Sequence, residues 1–152
     1  MEDVIRLRGC LEIVLGDQYG NVIDKQIINN TIVTAGRKWV LQQIASSEMN
    51  TAQSIAFIGL GTGTASPATG DTALVSEVTR SAIQSFSTAN LTSNPPSWRA
   101  EASWATNLAN TTLAEVALFV VSSGGTMLGR ATFSTVNKTT SNTFSISYTV
   151  SN

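Results

Sequence analysis

The chain has 152 residues, 42% of them hydrophobic, which is enough for one domain with its own core. Charged residues make up only 12%, about half the share usual in soluble proteins, and Ser, Thr and Asn take their place. A net charge of −1, no histidine and a single cysteine argue against a nucleic-acid binder, a Ser–His nucleophile pair, a transition-metal site and an intrachain disulfide.

The first strand is predicted from Ile5 to Leu15. Ile5, Leu7, Leu11, Ile13 and Leu15 share one face, and Arg6, Arg8, Cys10 and Glu12 the other, with Gly9 the one break. Met1 to Arg8 reads as an N-terminal arm that either joins a partner, with Arg6 and Arg8 on its polar face, or simply opens this strand. Gly16 to Asn21 is turn chemistry. Asp17, Asn21 and Asp24 also raise the question of calcium, but a polar hairpin turn explains them better. A second strand covers Val22 to Val33, and its change of apolar parity predicts a bulge near Ile27-Ile28. Thr34 is placed as the N-cap of a helix running to Ala45, with Trp39, Val40 and Ile44 as its buried stripe and Ser46-Ser47 as its end.

Ser54 to Leu60 reads as a buried strand running into Gly59-Leu60-Gly61-Thr62-Gly63. The loop has neither the Lys of a P-loop nor a helix directly after its glycines, so Gly59, Gly61 and Gly63 are read as backbone devices, at least one of them at positive φ. Asp71 is expected to cap a short helix carrying Leu74 and Val78. From Thr79 the chain is read as almost all β. Trp98, Ala100, Ala102 and Trp104 alternate against Arg99, Glu101 and Ser103. Leu113 to Val121 is a central strand, Gly124-Gly125 turns it into Thr126 to Ser134, and Phe144, Ile146, Tyr148 and Val150 alternate with Ser145, Ser147 and Thr149. Asn90 to Ser97, with Pro95-Pro96, is the most exposed loop in this reading. The whole is a single antiparallel β-sandwich or jelly-roll-like domain with one or two short helices.

Glu101 and Glu115 are the candidate carboxylates inside strands for an acid/base couple. Glu101 shares a solvated face with Arg99. Glu115 shares a face with Arg130 across the Gly124-Gly125 turn, which makes a structural ion pair the better reading than an acid/base couple. Trp98, Trp104 and Tyr148 suit either core packing or a sugar-stacking platform, and the alternation of Trp98 and Trp104 with alanines favours core. Asn-x-Ser/Thr triplets begin at Asn29, Asn90, Asn110 and Asn137, as chance provides in so Thr- and Asn-rich a chain. The acidic start, Met1-Glu2-Asp3, lacks the plan of a secretion signal, and no apolar run is long enough for a membrane span.

Three pieces, in order along most of the chain, resemble small structural proteins of tailed bacteriophages. The first is Asn30-Thr31-Ile32-Val33-Thr34-Ala35-Gly36-Arg37, an Asn-to-Gly-Arg lead-in to a helix. The second is Gly59 to Thr64 followed by Pro67, Asp71-Thr72-Ala73-Leu74, Glu77 and Arg80. The third is the Glu115-led strand, Gly124-Gly125, and the Arg130-led strand. The resemblance implies a virion protein made in the bacterial cytoplasm that assembles and does no chemistry, and it implies no cofactor. The expectation it carries is a head decoration (cement) protein that binds the major capsid protein and itself, as a homotrimer, with no nucleic acid or membrane partner. A tail or neck fibre module with sugar-recognising loops is the alternative, and a depolymerase-type enzyme a third, without a carboxylate pair to support it.

Overall fold

The computed structural model describes residues 6–45 and 54–152. Their fold is two antiparallel sheets face to face, with one α-helix (α1, Thr34–Ala45). The strands are β1 (Arg8–Asp17), β2 (Val22–Asn29), β3 (Thr31–Ile32), β4 (Phe57–Gly61), β5 (Glu77–Ala82), β6 (Ser85–Ser87), β7 (Ser97–Trp104), β8 (Thr112–Phe119), β9 (Met127–Asn137) and β10 (Asn142–Ser151). One sheet runs β2-β1-β10-β7-β6 and the other β3-β9-β8-β4-β5. The mainly β sandwich with a short helix after the first hairpin is therefore the fold of this chain.

Period-two alternation explains the first sheet. Leu11 and Ile13 of β1, Ala102 and Trp104 of β7, and Phe144, Ile146, Tyr148 and Val150 of β10 all point inward and are buried. They meet Ile58, Leu60, Leu113, Val116, Leu118 and Phe133 of the second sheet in one continuous core. The first hairpin is closed by Asp17. Its Oδ1 accepts the Tyr19 and Asn21 backbone N–H groups at 2.8 Å each, and its Oδ2 accepts the Asn21 amide at 2.7 Å. The carboxylate that calcium would need is thus committed to the turn, and Gly20 takes the positive φ (+90°).

The second sheet is covered on both faces. β8 is buried from Leu113 to Phe119, and on its outer side Val33, which precedes the helix, and Leu74 of the 62–76 loop cover Ala117 and Phe119. There Val33, Leu74, Ala117, Phe119 and Met127 form a second, smaller cluster.

Three expectations are corrected. The parity change in Val22 to Val33 is no bulge at Ile27-Ile28, since the β1–β2 register is unbroken from Asn29 to Asp24. The chain instead leaves the first sheet at Asn30 and joins the second as β3, against Arg130 and Gly129. An irregularity does occur, but at the hairpin end, opposite Leu15 and Gly16. The segment after Asp71 forms no helix: Leu74 is buried under a non-helical loop and Val78 lies in β5. The helix α1 includes Thr34 as its first residue, with the Val33 carbonyl accepting the Arg37 N–H, so Val33 holds the cap position. Trp39 and Val40 pack against the core as expected. The Ile44 side chain, Ser46-Ser47 and Met1 to Ile5 lie outside the described residues.

Candidate functional site: a carboxylate lock on the outer face of the second sheet

Glu115 is fully buried in the central strand of its sheet. Its register partner is Thr132, while Arg130 faces Ala117, so the two charged side chains share one face diagonally. Arg130, also buried, donates from Nε to Glu115 Oε2 at 2.9 Å, and its Nη2 lies 2.9 Å from the same oxygen. The remaining acceptor capacity of the carboxylate is filled by backbone. Gly63 N–H (3.0 Å) and Ser76 N–H (2.7 Å) donate to Oε1, and Val75 N–H (3.0 Å) donates to Oε2. Arg130 spends its other donors on Asp71 Oδ2 and the Ala65 carbonyl, both at 2.9 Å. Asp71 in turn accepts the Ala68 N–H at 3.0 Å. One carboxylate thus ties both ends of the 62–76 loop to the middle of the sheet.

Electrostatics agree with the geometry. Burial alone would raise the Glu115 pKa, but the N–H groups of Ser76, Val75 and Gly63 and the Arg130 guanidinium hold it below the ordinary glutamate value. The Ala68 N–H, then Arg130, likewise hold Asp71 down against its partial burial. Both carboxyls stay ionised, and on Glu115 every lone-pair direction is taken. This is an arrangement for holding backbone, not for moving protons.

Glycines make room for it. None of Gly59, Gly61 and Gly63 has a positive φ, contrary to the sequence expectation; that conformation belongs to Gly20, Gly124 and Gly125. At Gly61 and Gly63 an added Cβ would collide with Glu115 Oε1, and at Gly59 it would press 2.8 Å from the Phe119 ring. Their role is close approach.

Arg80 extends the lock to the sheet's edge. Its guanidinium pairs with both carboxylate oxygens of Glu77 (2.6 and 3.0 Å) and donates to the Val121 and Gly124 carbonyls at 2.8 Å each. It also lies 3.4 Å over the Phe119 ring. β5 is thereby stapled to the β8–β9 turn, where Gly124 (φ 60°) and Gly125 (φ 73°) reverse the chain.

Asn30 and Gly36 serve the other edge of the same sheet, where β3 pairs with β9. Asn30 donates its amide to the Tyr148 hydroxyl and fits against Gly9 and Gly129, where a Cβ would strike it. Gly36 lets the helix approach the Leu128 backbone. Lys138 was missed by the sequence reading. It is buried, donates to the Ala105 carbonyl (2.8 Å) and Asn110 Oδ1 (3.0 Å), and burial pulls its pKa down. A lysine following a turn-like Asn carries no sequence signal for burial.

The other candidates lie apart. Arg6 N–H donates to Asn152 Oδ1 at 2.9 Å, and Arg8 sits in register with Ser151, so the described end of the arm runs along the molecule's own β10. Glu101 pairs with Arg99 at 2.8 Å on the solvated face of the first sheet. Trp104 and Tyr148 are buried core, whereas Trp98 is half-buried against Phe86, 5.3 Å between ring centroids. The three aromatics therefore do not form a shared platform. Trp98 instead lines an apolar groove of about 530 Å³ with Leu7, Trp39, Val40, Ile55 and Phe86. Among the described residues there is no cluster of three potential metal-binding side chains, and no helix is long and apolar enough to cross a membrane. Comparison of the chain with protein-family models, curated proteins and solved structures finds no match.

Proposed function

We propose that this chain is a structural protein of a bacteriophage virion, acting as a head decoration (cement) protein that binds the major capsid protein and further copies of itself. One observation carries the reading. The three stretches that resemble phage structural proteins converge on one sheet. Glu115 and Arg130 from the third close on Asp71, Gly61 and Gly63 from the second, and the first sets Asn30 and Gly36 against β9. What the resemblance picks out is thus a device for fixing loops, built on a Glu115 carboxylate whose acceptors are all used.

A rigid, weakly charged sandwich suits such a role. Neutral hydroxyl and amide groups are desolvated at far lower cost than charges, so a broad surface can be buried on a shell. Binding only the assembled state then stabilises the shell by mass action. Quantitative mass spectrometry of purified particles of the phage encoding this chain tests the reading. A copy number near that of the major capsid protein supports decoration. A few copies per particle points to a neck or fibre part, and absence from particles refutes the virion assignment.

A further inference from the structure

We propose that β2 is a self-association edge, pairing antiparallel with β2 of a second copy about a two-fold axis at Lys25, so that two first sheets join into one ten-stranded sheet. Self-association belongs to the proposed function, but this argument rests on β2 alone.

β2 is the end strand of its sheet, and it is long, with eight residues against three in β6 at the other end. Long apolar edges are normally blunted by proline, by inward charge or by cover. This one has no proline, and its apolar side chains are open: Val22 is 62% exposed, Ile23 56% and Ile27 66%. Its one lysine, Lys25, is neutralised by Glu12 of β1 at 3.0 Å. The strand is also held ready. Gln26 turns inward and exchanges two hydrogen bonds of 2.9 Å with the Ser134 backbone of the opposite sheet. A pre-ordered strand loses little freedom on pairing.

The backbone faces the right way. Asn30 N–H donates to the Gly9 carbonyl, in register with a ladder where Leu11 faces Ile28 and Ile13 faces Gln26. Antiparallel alternation then directs the even-numbered backbone groups toward β1 and leaves those of Lys25 and Ile27 pointing outward.

The choice of a second copy comes from the sequence of the edge. Val22-Ile23-Asp24-Lys25-Gln26-Ile27-Ile28 has the same order of residue classes in both directions. A two-fold interface demands that kind of self-complementarity. With the axis at Lys25, Ile23 meets Ile27, Val22 meets Ile28 and Asp24 meets Gln26, each from opposite copies. Each Lys25 brings its own Glu12, so the two lysines that meet at the axis are each neutralised, and each Asp24 meets a neutral Gln26. The irregularity in β2 lies at the hairpin end and leaves Asp24 to Asn29 regular.

The test uses the full chain. Light scattering after gel filtration should give a dimer mass, and Ile27→Asp should give a monomer that still unfolds cooperatively, at a melting temperature independent of protein concentration, since Ile27 is exposed in the single chain. In a Cys10→Ser background, Lys25→Cys should form a covalent dimer under mild oxidation. A bonded antiparallel pair sets the Cα atoms about 5.5 Å apart, within the disulfide range of roughly 4.4–6.8 Å. Ser123→Cys in the same background, remote from β2, should form none. A monomeric wild type, a dimer insensitive to Ile27→Asp, or a trimer whose Lys25→Cys variant forms no cross-link would each overturn the proposal. None of these results bears on copy number in particles, so the interface and the virion assignment fail separately.

Discussion

The carboxylate lock makes a strong quantitative claim about Glu115→Gln. The substitution keeps shape and removes one charge. In the native site the carboxylate accepts from three backbone N–H groups, those of Gly63, Val75 and Ser76, and from Arg130. A glutamine amide has one acceptor oxygen, and whichever way it lies its NH₂ meets a donor. Arg130, buried and 2.9 Å from the lost charge, keeps only the partly exposed Asp71 as counter-ion. Breaking a buried pair from one side removes about 3–5 kcal/mol. For a chain of this size that is a fall of roughly 6–20 °C in melting temperature. The pH dependence supplies an independent check. The folded pKa of Glu115 lies below its ordinary value of 4.5, so its contribution is fully present above that value and is lost as pH falls through the folded pKa. Urea melts of wild type and variant from pH 7 downward should therefore converge in acid. Asp71, whose pKa is also lowered, keeps part of the acid limb in the variant. A variant within about 0.5 kcal/mol of wild type at pH 7, or one whose acid limb runs parallel to it, would refute the lock.

Three further outcomes follow from the same packing. Gly61→Ala should destabilise by about 1–3 kcal/mol through overpacking against Glu115 and the Ser76 carbonyl, while Gly70→Ala, with open space around it, should stay within about 0.5 kcal/mol, both read from chemical melts. Arg80→Ala should remove about 2–3 kcal/mol, because its charged donors serve Glu77 and two carbonyls, and should speed amide exchange in β5 and the β8–β9 turn. Lys138, with its pKa lowered by burial, binds its proton more weakly folded than unfolded. Stability should gain from this site as pH rises from its folded pKa toward 10.5, and Lys138→Met should remove that alkaline gain in pH-resolved melts.

Much of the architecture was legible because the first sheet obeys one rule. In β1, β7 and β10 one face meets the core and the other meets water, so period-two alternation names strand, face and core together. The shared face of Glu115 and Arg130 was expected from the same alternation, but it depends on a register shift between Leu118 and Phe119 that the sequence does not show: Phe119 faces Met127, while Ala117 faces Arg130 and Glu115 faces Thr132. The second sheet hid more, because both of its faces are covered. Asp71 looks like an N-cap in sequence, yet its carboxylate serves Ala68 and Arg130. Glycines beside a buried carboxylate look the same in sequence as glycines at positive φ. Asn30, where the chain crosses between sheets, gave the same change of parity that a bulge would give.

The two sheets divide the work. The second sheet gathers Glu115, Arg130, Asp71 and Arg80 under a loop, where each charged group is spent on another part of the same chain. The outer face of the first sheet carries hydroxyls, two surface ion pairs, Glu12–Lys25 and Arg99–Glu101, and an apolar end strand. Surface pairs of that kind contribute little to folding, and Ile23 and Ile27, both more than half exposed, bury little of their apolar surface within the chain. Apolar side chains left open in this way are free to answer to a partner. That asymmetry is why substitutions on the second sheet should register in melting curves, and substitutions on the β2 edge in the mass of the assembly.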